Sequence, residues 1–145
     1  MDDNIQHQFV SELRTVITRL IKKLRKESVT VQHLSLTERS TMALLYQYKE
    51  LLPSELAAME KITNQSMSQI LNHLLALSYI IRTDSKTDKR KVIISLTPAG
   101  ENILLQMRNE RDKWLTKAIE ETCTPDEQAL LKQALIPLTK IVDFE

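Results

Sequence analysis

The chain of 145 residues carries 20 Lys and Arg against 19 Asp and Glu, which gives a formal net charge of +1. One glycine, four prolines and 4% aromatic residues argue against an all-β sandwich or a glycine-rich nucleotide-binding fold, and they favour a mainly helical protein. The single cysteine excludes a disulfide framework and any multi-cysteine zinc site. Taken over the whole chain, the near-neutral charge gives no support to a strongly basic nucleic-acid-binding protein.

Neither the N-terminus nor the middle of the chain has the pattern of a membrane or export segment. Residues 1–8 carry two Asp and no apolar run of the kind that a secretory signal needs. The longest uncharged run, 62–81, has the length of a membrane span, but its Asn, Gln, Ser, Thr and His side chains are unsuited to hydrocarbon. We therefore expect no membrane association and a cytoplasmic location.

The first half of the chain is predicted to be helical. Apolar residues at helical spacing indicate an amphipathic helix over residues 4–26, and its other faces carry six Lys and Arg. A link without a clear preference covers residues 28–36, and Thr37 then suits the N-cap of a second helix. A third helix takes Pro53 in its first turn, where a proline costs no hydrogen bond, and it ends near residue 60.

The pattern changes after the fourth helix, which Thr63 is expected to cap and which ends near residue 77. Two runs rich in β-branched residues, 79–83 and 91–96, are predicted strands. The polar residues 84–90 between them carry too much charge for a core position. These segments together predict a β-hairpin with an exposed basic tip.

Helical structure is predicted again after the hairpin. Thr97 and Pro98 provide a cap and a first-turn proline for a long helix that ends near residue 122. A last helix begins at Thr124, because Thr124 and Glu127 have the spacing of a capping box.

This order of elements predicts a mainly α protein with a small β-hairpin wing. The third and fourth helices, joined by a tight turn and followed by the hairpin, have the order of a winged helix-turn-helix. We therefore predict a winged helix-turn-helix DNA-binding domain over residues 35–100. The flanking segments, 1–34 and 101–145, are predicted to form a helical dimerisation region, since their apolar stripes have no obvious core within so small a domain.

The fourth helix has one apolar face and one face of amides and hydroxyls without a charge. Asn and Gln can bond to adenine edges in the major groove, Ser can act as donor or acceptor, and the amides at a helix N-terminus suit phosphate. The alternative is a solvated face that lacks charge by chance. The candidate major-groove residues are Thr63, Asn64, Gln65, Ser66, Ser68, Gln69 and Asn72.

The predicted hairpin tip concentrates basic side chains that suit a minor groove, where the negative potential attracts arginine. Asp88 is instead expected to hold an arginine in a fixed direction by ion pairing. The alternative is a solvated loop of mixed charge, and the adjoining helix-turn-helix argues against it. The candidate wing residues are Arg82, Lys86, Asp88, Lys89 and Arg90.

Residues 36–100 resemble the MarR family of transcriptional regulators, and the flanking helices match that family in length and layout. The Asp-x-Arg segment of the wing, followed at this spacing by Leu-Thr-x-x-Gly, is more specific than a helix-turn-helix alone. The residues that carry the resemblance are Leu36-Thr37, Glu55-Leu56-Ala57, residues 63–74, Arg82, Asp88-Lys89-Arg90 and Leu96-Thr97-Pro98-Ala99-Gly100.

The resemblance implies a homodimeric repressor with interlocked terminal helices and two winged domains on a palindromic DNA duplex. It also implies release of DNA by a small phenolic or other anionic effector. By the same resemblance, Arg90 faces the minor groove, and the residues that face the major groove are Gln65, Ser66, Ser68 and Gln69. Two positions depart from the family. Ser78 stands where most members have glycine, which implies an altered helix C-cap, and Gln69 stands where many have a phosphate-binding arginine.

Other candidate sites have weaker patterns. Met42, Tyr46 and Trp114 are candidate effector-pocket residues, and packing in the core or in a dimer is the alternative for each. Cys123 is expected to be an inert thiol, and the three scattered histidines form no spaced metal pair, so we expect no metal and no cofactor.

Enzymatic motifs are absent from the sequence, which has no glycine-rich phosphate loop, nucleophile elbow or zincin pattern. We therefore expect no catalytic activity. The alternative function, from another class, is a helical dimeric protein–protein adaptor or antitoxin-like subunit. Salt-dependent binding to a palindromic duplex distinguishes the regulator from the adaptor.

The net charge conceals a local distribution. Residues 11–30 hold six Lys and Arg against two acids, and residues 61–92 hold the same excess, whereas residues 101–145 hold six against nine acids. Phosphate responds to the local field rather than to the total, so the near-neutral sum does not exclude DNA binding.

Overall fold

A computed structural model describes residues 2–145, and the regular structure in that range is six α-helices, one short 3-10 turn and a two-stranded sheet. The prediction of a mainly α protein with a small β-hairpin is confirmed. No helix within the described range combines the length and the apolar character that crossing a membrane requires. In chain order the elements are α1 (Asp3–Lys26), the 3-10 turn (Val29–Val31), α2 (Leu36–Tyr48), α3 (Pro53–Glu60), α4 (Asn64–Ala76), β1 (Ile80–Asp84), β2 (Val92–Leu96), α5 (Pro98–Thr122) and α6 (Pro125–Val142).

Three helices begin at the caps that the sequence predicts, and at the start of α5 the Thr97 hydroxyl oxygen accepts a hydrogen bond from the Gly100 N–H at 3.0 Å. The Thr63 hydroxyl oxygen accepts a hydrogen bond from the Ser66 N–H at 3.0 Å at the start of α4. Thr124 and Glu127 form a capping box at the start of α6, and hydrogen bonds from the Thr124 backbone and hydroxyl hold the pKa of the Glu127 carboxyl below its usual value. These bonds satisfy amides that have no partner within the helix.

The N-cap of α2 is Ser35, so the prediction of Thr37 at this position is wrong. Ser35 Oγ accepts from the Glu38 N–H at 3.1 Å, and Glu38 Oε1 accepts from the Ser35 N–H at 3.0 Å. A reciprocal pair of this kind satisfies two backbone donors, whereas Thr37 has a serine three residues later and cannot form one. Thr37 lies instead in the first turn of α2, where its carbonyl accepts from the Thr41 hydroxyl at 2.8 Å.

The hydrophobic core forms where α2, α3, α4 and the hairpin pack together. Helix α4 contributes Met67, Leu71 and Leu74, which recur at helical spacing and are at most 3% exposed. Ile70 and Leu77 are half-buried at the edges of this face. The predicted apolar face of α4 is therefore confirmed, and its polar face is left towards solvent.

The hairpin is attached to the segment that precedes α3. Strands β1 and β2 pair antiparallel, with a register that runs from Ile80 opposite Leu96 to Asp84 opposite Val92. Leu51 adds a single bridge beside β2, since its N–H and carbonyl bond to the backbone of Ile94 at 3.1 and 2.9 Å. This bridge fixes the hairpin next to the first turn of α3.

The joint between α4 and β1 depends on two unusual backbone positions. Ser78 has φ of 63°, and the N–H groups of Ser78 and Tyr79 bond back to Leu75 and Leu74 in the pattern of a Schellman cap. Gly100 packs so closely on this joint that a Cβ at its position would lie 2.1 Å from the Tyr79 carbonyl oxygen. The only glycine of the chain therefore stands where any side chain would collide with backbone.

The chain divides into two compact units. The winged-helix unit is Ser28–Asn109, and it contains every core residue of the described chain. The terminal-helix unit is the described chain up to Glu27 together with Glu110–Glu145, and none of its described residues is buried. Apolar residues of α1 and α6 remain strongly exposed, with Phe9 at 57% and Leu135 at 63%.

Candidate nucleic-acid interface

The N-terminal half of α4 presents an uncharged polar face. Its position follows from the helical period, because Met67, Leu71 and Leu74 turn inward and leave the intervening residues outside. The Thr63 hydroxyl, which caps the helix, also donates to Ser66 Oγ at 3.0 Å. The seven candidates on this face are all exposed: Thr63, Asn64, Gln65, Ser66, Ser68, Gln69 and Asn72.

The turn between β1 and β2 is ordered by a buried serine. Ser85 is 9% exposed, and its Oγ accepts from the N–H groups of Thr87 and Asp88 at 3.3 Å each. The Lys91 N–H donates to the Asp88 carbonyl at 2.9 Å, and the Ser85 N–H donates to the Lys91 carbonyl at 3.0 Å. This network gives a defined conformation to a loop that composition alone describes only as polar.

Asp88 orients Arg90 within this turn. Asp88 Oδ1 accepts from the Arg90 backbone N–H at 3.0 Å and from Arg90 Nε at 3.4 Å. The ion pair expected for Asp88 is therefore present, and the Arg90 side chain is 91% exposed. A guanidinium held from one side in this way keeps its remaining donors directed outward. The other wing candidates, Arg82, Lys86 and Lys89, are exposed as well.

A groove of about 350 Å³ joins the polar face of α4 to the wing. Helix α4 lines it with Asn64 and Ser68, and the hairpin lines it with Arg82, Arg90 and Lys91. Three cations line this groove and no acidic side chain does, although one of the three, Arg90, is ion-paired with Asp88 beside it. Its remaining lining residues are Leu52, Pro53, Ser54 and Val92.

Two polar residues of this groove, Ser54 and Lys91, are absent from the candidate site residues that the sequence predicts. Ser54 carries no charge and belongs to no motif, and its place depends on the bridge that brings the start of α3 beside β2. Lys91 adjoins the predicted basic tip, so its position beside Arg90 was a usable signal.

The effector-pocket candidates occupy three different environments. Met42 is 1% exposed and lies in the hydrophobic core. Tyr46 is half-buried, and its ring faces Lys49 Nζ and the Arg108 guanidinium, each 4.8 Å from the ring centroid. Trp114 is half-buried within the terminal-helix unit. Core packing is thus the environment of Met42, whereas Tyr46 is the centre of a cation–π cluster.

No group of three His, Cys, Asp or Glu side chains in residues 2–145 has the proximity needed to hold a metal ion. Cys123 is half-buried at the end of α5, where its Sγ lies 3.7 Å from Thr122 Oγ1. Among the described residues, the candidate site is therefore the groove with the polar face of α4 rather than a metal or thiol centre.

Comparison with known proteins agrees with this geometry. The model of the MarR family matches residues 34–92, the range that contains α2, α3, α4, β1 and the turn that follows it. A HTH-type transcriptional regulator of Mycobacterium leprae is 24% identical over 136 residues, which cover 94% of each chain. A protein of Pseudomonas aeruginosa assigned as a transcriptional regulator has a crystal structure that aligns over 100% of both chains, with a TM-score of 0.85 and 26% identity.

A third relative adds a bound ligand. A MepR variant of S. aureus, bound to an oligodeoxyribonucleotide, aligns over 93% of this chain and 98% of its own, with a TM-score of 0.72 and 17% identity. The two proteins share a fold. Over residues 34–92 the chain has the helix-turn-helix of the MarR family, and it is a DNA-binding transcriptional regulator.

Proposed function

We propose that this regulator is a homodimeric repressor that binds a palindromic operator, with α4 in the major groove and the wing in the minor groove. The observation that carries the proposal is the shared groove, in which the uncharged polar face of α4 adjoins Arg82, Arg90 and Lys91. The cations suit contacts to phosphate, which position a protein on DNA. The neutral amides suit contacts to base edges, which specify the sequence. Because its target is DNA, we place the regulator in the cytoplasm.

Helix α4 serves as the recognition helix in this proposal. Gln65, Gln69 and Asn72 supply amides that can pair with adenine edges, and Ser68 supplies a hydroxyl that suits either a donor or an acceptor. Residues at the N-terminus of the helix, which are Thr63, Asn64 and Ser66, lie where backbone amides favour phosphate. The absence of acidic residues from α4 removes a source of repulsion from DNA.

The wing supplies the minor-groove contact. Arg90 is the central residue, because it is exposed and Asp88 fixes its direction. Arg82, Lys86 and Lys89 add positive charge around it, and Asp88 contributes by orientation rather than by touching DNA.

Dimer formation is supported by the terminal-helix unit. Helices α1 and α6 bury none of their residues, although their apolar side chains recur along both. Exposed apolar surface of this extent is unusual for a monomer and is typical of a protein–protein interface. We therefore propose residues 1–34 and 101–145 as the dimerisation region and residues 35–100 as the DNA-binding domain, with a second copy of the chain covering the apolar stripes.

An effector completes the proposal. Binding of a small phenolic or other anionic molecule is expected to make the protein release DNA. The cation–π cluster around Tyr46 supports a negatively charged effector. Two cations on one phenol ring favour an anion at that place.

Salt-dependent DNA binding tests the proposal against the adaptor or antitoxin-like alternative. The duplex is selected by the wild-type protein from a random pool, and its affinity is measured by fluorescence anisotropy across a salt series. We expect a palindromic consensus and an affinity that falls steeply as salt rises, because phosphate contacts release counterions. In a second selection, Gln65→Ala should relax the base preference at one position of each half-site. Absence of any consensus, with weak and sequence-independent binding, would favour the adaptor.

A further inference from the structure

One buried carboxylate connects the start of α2 to the proposed recognition helix. Glu38 is 8% exposed, and its Oε1 closes the capping box of α2 by accepting from the Ser35 N–H at 3.0 Å. Its other oxygen, Oε2, is hydrogen-bonded to Nδ1 of His73 in the last turn of α4. The two residues are 35 positions apart in the sequence, so this bond is a tertiary contact and not a local cap.

We propose that Glu38 is a positioning residue for DNA binding, which holds α4 on α2 through His73 and holds it more tightly when the imidazole carries a proton. The proposal rests on α4 being the base-reading helix. Its physical basis is the attraction between opposite charges, since a protonated imidazole adds an ion pair to the hydrogen bond that the carboxylate already makes with the ring. Histidine is the side chain whose charge ordinarily changes between about pH 5 and pH 8, so the hold responds to pH in that range.

Glu38 remains ionised throughout that range. Burial raises the pKa of its carboxyl, but hydrogen bonds from the Ser35 backbone, the His73 ring and the Ser35 hydroxyl outweigh burial and leave the pKa below its usual value. The carboxylate therefore provides the negative partner of the pair. The His73 side chain is 47% exposed, so water can reach the ring and exchange its proton.

Other charged groups on the elements packed against α4 are engaged elsewhere or lie on the hairpin. His73 is the only Asp, Glu, His, Lys or Arg within α4 itself. On α2, Arg39 donates to the Val31 carbonyl at 2.8 Å. On α3, Glu55 accepts from the Leu52 N–H at 2.9 Å, and Glu60 accepts from the Ser40 hydroxyl at 2.5 Å. On β1, Arg82 and Asp84 are exposed. Glu38 is thus the carboxylate that faces His73 across the α2–α4 contact.

The test compares the affinity of full-length variants for one duplex between about pH 6 and pH 8 at constant ionic strength. The duplex is the one that the wild type selects from a random pool. His73→Gln keeps a side chain that can bond to Glu38 but does not titrate, and Glu38→Gln keeps the capping box, which accepts Gln, but removes the charge. His33→Gln is the matched control, because His33 lies in the same unit and bonds to the Tyr79 hydroxyl at 3.0 Å.

We expect the wild-type affinity to be about fivefold higher at the lower pH, and His33→Gln to keep this ratio. His73→Gln and Glu38→Gln should each reduce the ratio to about one, while circular dichroism at both pH values shows that they are folded. If Glu38→Gln does not fold, the pH ratio of His73→Gln decides alone. A pH-independent wild type, or an unchanged ratio in His73→Gln, overturns the proposal.

Failure of this proposal is distinguishable from failure of the proposed recognition helix. A selection with Gln65→Ala that returns the wild-type consensus, together with one that does so for Gln69→Ala, counts against base reading by α4. A relaxed consensus in those variants combined with a flat pH profile in the wild type leaves α4 as the recognition helix and removes only the role of Glu38.

Discussion

The two units of the chain differ in whether a single copy of the chain buries their apolar side chains. The winged-helix unit buries a continuous set of apolar side chains, from Val31 to Met107, and several of them are fully enclosed. The terminal-helix unit contains two of the three longest helices, α1 and α6, yet buries no residue in either. Helices of 24 and 18 residues gain most of their stability from tertiary packing of an apolar face.

This difference indicates separate tasks for the two units. A unit with its own core can keep its recognition surface in place by itself, because the α4 face is set by Met67, Leu71 and Leu74. In the proposed dimer, the terminal-helix unit would gain its stability from association, because its apolar stripes are exposed in one copy. The proposed DNA-binding surface thus needs one chain, whereas the proposed dimer requires two.

The largest expected effect comes from placing charge on the exposed stripe of α6. Leu131 and Leu135 are 47% and 63% exposed, so their combined replacement by Glu should leave a single chain unstrained. In the proposed dimer it would bury two unpaired carboxylates, and we expect at least about a thousandfold weaker dimerisation. Sedimentation equilibrium measures the change, and Gln133→Glu on the same helix is the control. An unaltered dimer would mean that the stripe lies outside the interface.

Gly100→Ala should disturb the other unit. The new Cβ would meet the Tyr79 carbonyl oxygen at 2.1 Å, and that oxygen already accepts from the Thr97 N–H at 3.0 Å, so backbone must shift. We expect a loss of about 2–3 kcal/mol in the free energy of unfolding. Urea unfolding measures it, with Ala99→Ser at the exposed neighbouring position as the control. A loss no larger than that of the control would show that the close approach is not required.

Arg90→Ala should weaken DNA binding without changing the stability of the fold or of the dimer. The side chain is 91% exposed and pairs only with Asp88 in the described chain, so its removal should not affect folding or dimerisation. Affinity for the selected duplex should fall by about 1–3 kcal/mol. Lys140→Ala, in the last turn of α6, serves as the matched loss of one positive charge. Equal losses for the two variants would reduce the role of Arg90 to general electrostatics.

Ser78→Gly has the smallest expected effect, and unlike the preceding substitutions it should stabilise the fold. Ser78 adopts φ of 63° at the end of α4, a conformation that glycine takes without a Cβ penalty. The gain from relieving that penalty exceeds the extra chain entropy, and we expect a stabilisation of about 0.5–1 kcal/mol. Ser78→Ala keeps the Cβ and should give no gain in thermal unfolding. A destabilised glycine variant would imply that the serine side chain itself supports the cap.

The sequence contains most of the local information for this fold. Thr63 and Thr124 are followed by partners at the correct spacing, and the periodicity of α4 identifies its buried face. The error at Thr37 was avoidable, because Ser35 and Glu38 have the same spacing as Thr124 and Glu127. The expectation of an altered C-cap at Ser78 is wrong, because Ser78 adopts the positive φ and the Schellman hydrogen bonds that glycine usually provides.

Tertiary contacts were beyond the reach of sequence patterns. The Glu38–His73 bond joins helices that only packing brings together, and no local spacing marks it. Ser54 reaches the groove because Leu51 bridges to Ile94, a pairing of residues far apart in the chain. The Asp88–Arg90 pair was predictable for the converse reason, since the two residues are separated by a single position.

The mass of the protein–DNA complex tests the central claim most directly. Sedimentation velocity is measured on the selected palindrome and on a duplex that contains one half-site. We expect two chains on the palindrome, bound together in one step, and much weaker binding to the half-site. One chain on each half-site, bound independently and with equal affinity on both duplexes, would contradict it.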